Sequence, residues 1–306
     1  MATSSASMTT NSRWSDWRVR HQASLDETRY NTRVFFKDKL AVVGLVIILL
    51  TIIMAVFAPY IAPYPAQGQG ESNLHARFEA PNAQHWMGTD NQGRDILSRI
   101  IYGARIPLII SFTVTAVIVI IGVPLGGIAG YYGGRIDEVV MRITDVFLAF
   151  PSLILAITFV AFLGPSIRNV MIAIVVSWWP WYTRLVRGVA VSLRERPYVE
   201  AARTMGVHNL LVIWRHILPN ALGPVIVQMT LDIGTVILAA AALSFIGLGA
   251  QPPTAEWGLM ISEGKDYILQ QWWIGTFAGL AIFILVLAFN FVGDGLRDVL
   301  DPRSKR

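Results

Sequence analysis

The chain has 306 residues, 54% of them hydrophobic and only 15% charged, with a mean hydropathy of +0.52. Soluble domains carry about a quarter charged residues, so this composition excludes an ordinary water-soluble protein and indicates an integral membrane protein. The net charge of +5 fits nucleic acid or basic cytoplasmic loops, and the absence of cysteine excludes disulfides, thiol chemistry and cysteine-ligated metal.

About 39 polar residues precede the first apolar run, too many for the n-region of a cleaved signal peptide. Residues 1–12 are rich in Ser, Thr and Ala and read as disordered. Trp14 and Trp17 sit one helical turn apart among arginines. They read either as the anchor of an interfacial helix or as part of a floppy tail.

A bilayer core needs about 20 apolar residues per helix. Six such runs are predicted, at residues 40–58, 106–130, 146–163, 170–193, 222–248 and 273–292. They divide the chain into an N-terminal tail (1–39), a first span with its outer loop (40–105), a membrane core (106–292) with an inner loop at 194–220, and a C-terminal tail (293–306). Nineteen of the 25 Lys and Arg residues fall on the side that holds both tails and the inner loop. The positive-inside bias therefore places both termini and that loop in the cytoplasm.

In the first outer loop, Pro59, Pro63 and Pro65 are expected to stop the first helix. The run Gly88-Thr89-Asp90-Asn91-Gln92-Gly93-Arg94-Asp95-Ile96-Leu97-Ser98-Arg99 reads as a self-paired, salt-bridged turn, with substrate contact as the alternative. A calcium loop is excluded because Asp90 and Gln92 are followed by Arg94 where another oxygen ligand is needed.

The second run carries Gly122, Gly126, Gly130 and Gly134 at four-residue spacing, and Gly275 and Gly279 repeat the pattern in the sixth. Such small-residue stripes let helices approach closely in a bilayer. The inner turn Arg135-Ile136-Asp137-Glu138 opens the third run, where Arg142 and Asp145 are placed to pair and Pro151 is expected to kink the helix. Trp178 and Trp179, in Trp178-Trp179-Pro180-Trp181-Tyr182, read as an interfacial belt or, lying nearer mid-span, as the wall of a pathway. Asp232, with Gln228 one turn before it, is an acid inside the fifth run and should face the bundle interior or water. It is a candidate path residue or a carboxylate satisfied by a neighbouring helix.

Several chemistries are missing. The closest approach to a phosphate-binding G-x-x-x-x-G-K-[ST] loop, Gly258 to Gly264-Lys265-Asp266, is one residue too long and ends on Asp266. There is no H-E-x-x-H and no G-x-S-x-G, and the five histidines (His21, His75, His85, His208 and His216) lie outside the predicted spans. No nucleotide, metal or other cofactor is expected on this chain.

The inner loop reads Tyr198-Val199-Glu200-Ala201-Ala202-Arg203-Thr204-Met205-Gly206, then nine residues, then His216-Ile217-Leu218-Pro219-Asn220. It predicts a short polar helix, a glycine break and a second short helix ended by Leu218 and Pro219. A generic helix-turn-helix shares the Ala-x-x-x-Gly spacing, but the flanking spans argue against one. The pattern Glu200-Ala201-Ala202-x3-Gly206 with His216, Leu218 and Pro219 resembles the Glu-Ala-Ala loop of ABC importer permeases. Further matches are Gly88 to Arg99, Gly133-Gly134, Asp137, Met141-Arg142, Asp145, Pro151, Leu243 to Pro253, Glu256-Trp257-Gly258 and Gly293 to Asp298 with Leu300-Asp301-Pro302. The chain thus looks like the C-type permease of dipeptide/oligopeptide (peptide/nickel) importers over about residues 35–306.

The resemblance implies an all-α type I ABC importer permease with six transmembrane helices, both termini cytoplasmic, in the cell's inner membrane. It implies a B-type permease as heterodimer partner, an extracytoplasmic binding protein, and two cytoplasmic ATPases that hold ATP and magnesium. Glu200, Ala201, Ala202, Arg203, Gly206, His216, Leu218 and Pro219 would couple to those ATPases. Cargo would be di- or oligopeptides, alternatively nickel, glutathione or D-Ala-D-Ala. Apart from the resemblance, a secondary transporter, a channel or a membrane-embedded enzyme would also be polytopic.

Overall fold

The computed structural model describes residues 29 and 31–300. The expectations for residues 1–12, Trp14, Trp17, Asp301 and Pro302 fall outside that range. Among the described residues the chain is helical and carries no extended strand; an isolated bridge joins Thr89 to Asp95.

Helix α1 (Lys39–Val56) starts where the Asp38 carboxylate accepts the Leu40 amide at 2.9 Å. It ends at Val56, and Pro59 and Pro65 then occupy the first turns of two short helical segments, Ala58–Ile61 and Pro65–Gly68. The outer loop leads to α2 (Ile96–Gly103) and α3 (Arg105–Tyr132), followed by α4 (Gly134–Leu148), α5 (Ser152–Leu163) and α6 (Ile167–Arg194). After α7 (Pro197–Thr204) come a short α-helical segment, Asn209–Val212, a π-helical segment, Ile213–Ile217, and α8 (Leu218–Phe245). Helices α9 (Trp257–Gly264) and α10 (Trp273–Leu300) complete the fold.

Among the described residues, four helical stretches are long and apolar enough to cross a membrane: Lys39–Val56, Ile96–Tyr132, Asn209–Phe245 and Trp273–Leu300. A fifth is reached by counting α4 and α5 together. These two meet at 84°, so the predicted third span is broken rather than gently kinked. Pro151 has no amide hydrogen and sits at ψ 123°, outside helical geometry, where α4 has ended and α5 starts. The predicted fourth span falls on the 28-residue α6, which is not among the stretches apolar enough to cross a membrane. Its apolar character is diluted by Trp178 to Tyr182 and by Arg184, Arg187 and Arg194.

Another correction concerns Arg142 and Asp145, which do not pair. Arg142 reaches Glu138 at 3.3 Å, one turn back on α4. Asp145 instead takes Arg184 of α6, and Asp137 accepts Arg187 Nε at 3.0 Å. The helix geometry favours an i, i+4 partner, and α6 supplies cations that local spacing could not reveal.

Helices α3 and α6 pack closely because α3 presents no side chain along one stripe. A Cβ at Gly122 would lie 2.7 Å from the Tyr182 Cβ and 2.9 Å from the Trp179 carbonyl oxygen. At Gly130 it would lie 2.6 Å from both the Ala190 Cβ and the Arg187 carbonyl oxygen, and at Gly126 it would meet Val186 Cβ at 2.9 Å. Gly275 and Gly279 make looser contact, facing Ile261 of α9 at 3.7 and 3.9 Å. One apolar core joins α3, α5, α6 and α8, around Val114, Ile118, Ile174, Tyr182, Val186 and Leu243. A second joins α1, α2, α9 and α10 to the other face of α8, around Ile96, Ile237, Trp257, Met260 and Leu285.

The segments 59–105 and 249–272 are fastened together by a buried ionic quartet. Arg94 Nε meets Asp90 at 2.7 Å and Arg99 meets it at 2.6 Å. Both arginines also reach Glu263 of α9, at 3.1 and 2.7 Å. The turn is therefore self-paired, as its sequence suggests, and also closed from α9. Gly88 (φ 75°) and Gly93 (φ 71°) shape it. A Cβ at Gly93 would collide with the Asn73 carbonyl, and one at Gly88 would lie 2.7 Å from the Trp273 ring. Asp95 caps α2 by accepting the Ser98 amide at 2.7 Å, and His85 Nδ1 lies 2.9 Å from its other oxygen.

Candidate functional site

The elbow at 194–220 carries Pro197 at the first helical position of α7, where a missing amide hydrogen costs nothing. Val199 and Ala202, three residues apart, are buried against the core. Tyr198, Glu200, Ala201 and Arg203 point outward. Residue size decides this orientation: alanine lets the helix lie close to the bundle on one side and leaves a shallow surface on the other.

The helix stops in a paired-carbonyl cap. The Val207 amide donates to the Ala202 carbonyl at 3.1 Å and the Gly206 amide to Arg203 at 3.0 Å. Gly206 sits at φ 79°, a conformation that side-chain-bearing residues rarely adopt, and no atom lies within 4 Å of where its Cβ would be. The requirement for glycine there is conformational and not steric.

Beyond Gly206 the chain does not form a second short helix ended at Pro219. Asn209–Val212 runs through the π-helical Ile213–Ile217 into α8, and Pro219 sits in the first turn of α8. Leu218 donates its amide to the carbonyl of Ile213, five residues back, which defines the widened turn. Proline is tolerated here because that turn has already displaced the ordinary four-residue pairing, and Asn220 Nδ2 covers the His216 carbonyl at 2.6 Å. Leu218 is buried against Gly127, whereas Pro219 is exposed. His216 therefore belongs to a helix that continues into a span.

Three contacts hold the elbow in place. The Tyr131 hydroxyl, at the inner end of α3, donates to Asn209 Oδ1 at 2.9 Å. Arg203 lies over the Tyr131 ring at 5.9 Å, and the Tyr198 and His216 rings face each other at 6.2 Å across the two arms. These pairings of Tyr131 and Tyr198 span too many residues for local spacing to reveal.

The outer surface of the elbow combines apolar and charged groups. Met205 is 76% exposed and Trp214 61%, with Tyr198, Leu210 and Leu211 exposed beside them. The Glu200 side chain has no ion-pair partner among the described residues. Exposed apolar groups grouped around an unpaired charge are a feature of binding surfaces.

The candidate path residues lie elsewhere. Asp232 Oδ1 accepts from Gln228 Nε2 at 2.9 Å, and the Tyr182 side chain of α6 faces the same carboxyl. Trp178 is buried inside this chain's own core, Trp179 is half-buried with its ring 5.5 Å from Phe147, and Trp181 is the exposed member of the cluster. Among the described residues there is no group of three or more His, Cys, Asp or Glu side chains arranged to hold a metal.

The family described as binding-protein-dependent transport system inner membrane component matches residues 122–306. The N-terminal transmembrane domain of oligopeptide transport permease C matches residues 28–81. The chain belongs to this permease family. Among its relatives, the dipeptide transport system permease protein of Alkalihalophilus pseudofirmus is 50% identical over 269 residues, covering 88% of each chain. The probable D,D-dipeptide transport system permease protein of Escherichia coli is 46% identical over 265 residues, covering 87% of this chain and 88% of the relative. The glutathione transport system permease protein of Pectobacterium atrosepticum is 43% identical over 273 residues, covering 89% and 90%. In fold, the permease is similar to a chain of the inward-facing MetNI methionine ABC transporter. That likeness has a TM-score of 0.54 at 20% identity and covers 67% of this chain and 98% of that one. The protein is thus a multi-pass ABC importer permease, a transport component of its complex.

Proposed function

We propose that this permease carries di- or oligopeptides across the inner membrane as one half of a permease pair, driven by cytoplasmic ATPases docked on the elbow at 194–220. The carrying observation is the elbow itself: a capped helix whose exposed face joins Glu200 and Ala201 to Met205 and Trp214. The distribution of Lys and Arg supports a cytoplasmic position for it, with six crossings and both termini inside. In this arrangement the ATPases close on ATP, the elbow moves with them, and the two permeases switch between inward- and outward-open states by rigid-body rotation. An extracytoplasmic binding protein delivers the cargo. Asp232, Gln228, Trp178 and Trp179 remain the proposed path residues, with Asp232 toward the cavity between the subunits.

Peptide cargo is supported by the names of the relatives at 50% and 46% identity. A glutathione transport relative at 43% identity favours a second reading, a small peptide-like solute. Uptake of labelled dipeptide into cells carrying the whole transporter, with glutathione and nickel as competitors, separates the two.

The coupling role is tested with Glu200→Lys and Gly206→Trp. Both variants are expected to assemble with their partners and to lose uptake and ATPase stimulation. Normal transport by Gly206→Trp would rule out the elbow as the point of coupling.

A further inference from the structure

Helix α4 carries a second apolar face that nothing among the described residues covers. Asp137, Thr144 and Phe147 turn toward α6, through the Arg187 pair, complete burial and the Trp179 ring respectively. Ile136, Val139, Ile143 and Val146 turn away, 44%, 59%, 50% and 62% exposed, and Phe150 extends the row just past the helix end. Their 3-4-3-4 spacing is the narrow seam of a helix–helix contact, narrower than the broad face of a helix resting on a core.

The position of α4 argues against lipid or bulk cytosol as the cover. Arg187 lies about 30 Å along α6 from Ile167, and Trp179 about 18 Å, at 1.5 Å per residue. Because Asp137 contacts the first and Phe147 the second, α4 runs alongside the inner half of α6 instead of lying flat at the membrane surface. At that depth Glu138, Arg142 and Asp145 form an exposed charged strip beside the seam, with side-chain exposures of 63%, 78% and 61%. Charges at membrane depth face water or protein, not hydrocarbon. Lipid would cover the strip as well as the seam, whereas a second protein helix on the seam leaves the strip facing an aqueous path. Arg135, at the edge of the seam, makes no ion pair among the described residues, so the covering helix is expected to bring an acidic group there.

We infer that Ile136, Val139, Ile143 and Val146 form the seat for a helix of the second permease subunit, with the charged strip facing the path between the two. This rests on the paired-permease reading given above.

The test uses the complete transporter in native membranes. A benzoylphenylalanine photoprobe replaces Val139 or Ile143, one at a time. Ile143→Cys, the only cysteine in an otherwise cysteine-free chain, provides a milder second variant for thiol-directed cross-linking. The expected result is an adduct with the second permease at both positions. Adducts with lipid alone, adducts with an ATPase alone, or no protein adduct while the complex still co-purifies would overturn the seam and leave the pairing intact. Failure of any second permease to co-purify with the unmodified chain would overturn both.

Discussion

Arg99 and Glu263, 164 positions apart, meet at 2.7 Å in a nearly water-free site. Arg99 lies on α2 and Glu263 on α9, and Asp90 and Arg94 complete the site around them. Removing one partner from a buried pair costs about 3–5 kcal/mol, because the remaining charge is stranded. Glu263→Ala is therefore expected to lower the thermal stability of the detergent-purified complex by that order, read from its melting curve. Unchanged melting would show that the two arginines are satisfied without Glu263.

The α3–α6 stripe predicts opposite outcomes for two glycines. Gly130→Leu forces a side chain into space where even a Cβ would lie 2.6 Å from a carbonyl oxygen. Overpacking of this kind costs about 1–3 kcal/mol or more, and the yield of folded complex should fall sharply. Gly188, on α6, has nothing within 4 Å of its Cβ position. Gly188→Ala should hold or raise stability, by up to about 1 kcal/mol from helix propensity. Size-exclusion yield and melting temperature measure both.

At Gly206 the obstacle is backbone conformation alone, with φ at 79° and open space around it. Gly206→Ala should cost about 1–2 kcal/mol locally, and Gly206→Asn less, since asparagine tolerates left-handed geometry better. The ratio of cargo moved to ATP hydrolysed is expected to fall in the order Gly, Asn, Ala. An alanine variant with the wild-type ratio would show that the elbow's cap geometry does not matter for coupling.

Glu256 caps α9, accepting the Gly258 and Leu259 amides at 3.0 and 2.8 Å while 2% exposed. Burial raises its pKa above the ordinary glutamate range, and the hydrogen bonds from those amides and from Ser244 only partly oppose this. The folded state thus binds the proton more tightly than the unfolded chain. The resulting stabilisation is complete below the ordinary glutamate range and is lost as pH rises through the folded value. Melting of the purified complex across that window should show stability declining with rising pH. Glu256→Gln should flatten that part of the curve, and an unchanged pH slope would refute the assignment.

Periodic or local signals were legible in the sequence: the apolar runs, the glycine stripe that seats α6 on α3, the Asp90–Arg94 turn and the Gly206 break. What escaped was long-range or depended on small geometric competitions. Glu263 joins the quartet from α9, with no sequence signature for it. Asp145 takes Arg184 in place of Arg142 because a neighbouring helix offers a nearer cation. Pro151 breaks its span, whereas Pro219, with the same chemistry, is absorbed. Pro219 follows a widened turn, and Pro124, Pro180 and Pro224 are likewise carried inside helices, which no residue type announces.

That widened turn has a mechanical corollary. Because it carries the backbone past Pro219 without a gap, the segment from Asn209 to Phe245 is one shaft of 37 residues, about 55 Å from end to end. Pro224 lies inside it near the elbow, so bending is expected at that end and not at the far end. There, Gly247 (φ 87°) turns the chain toward Glu256 and the bolted outer loops. A shaft tethered at one end and interrupted by proline near the other would flex close to the elbow.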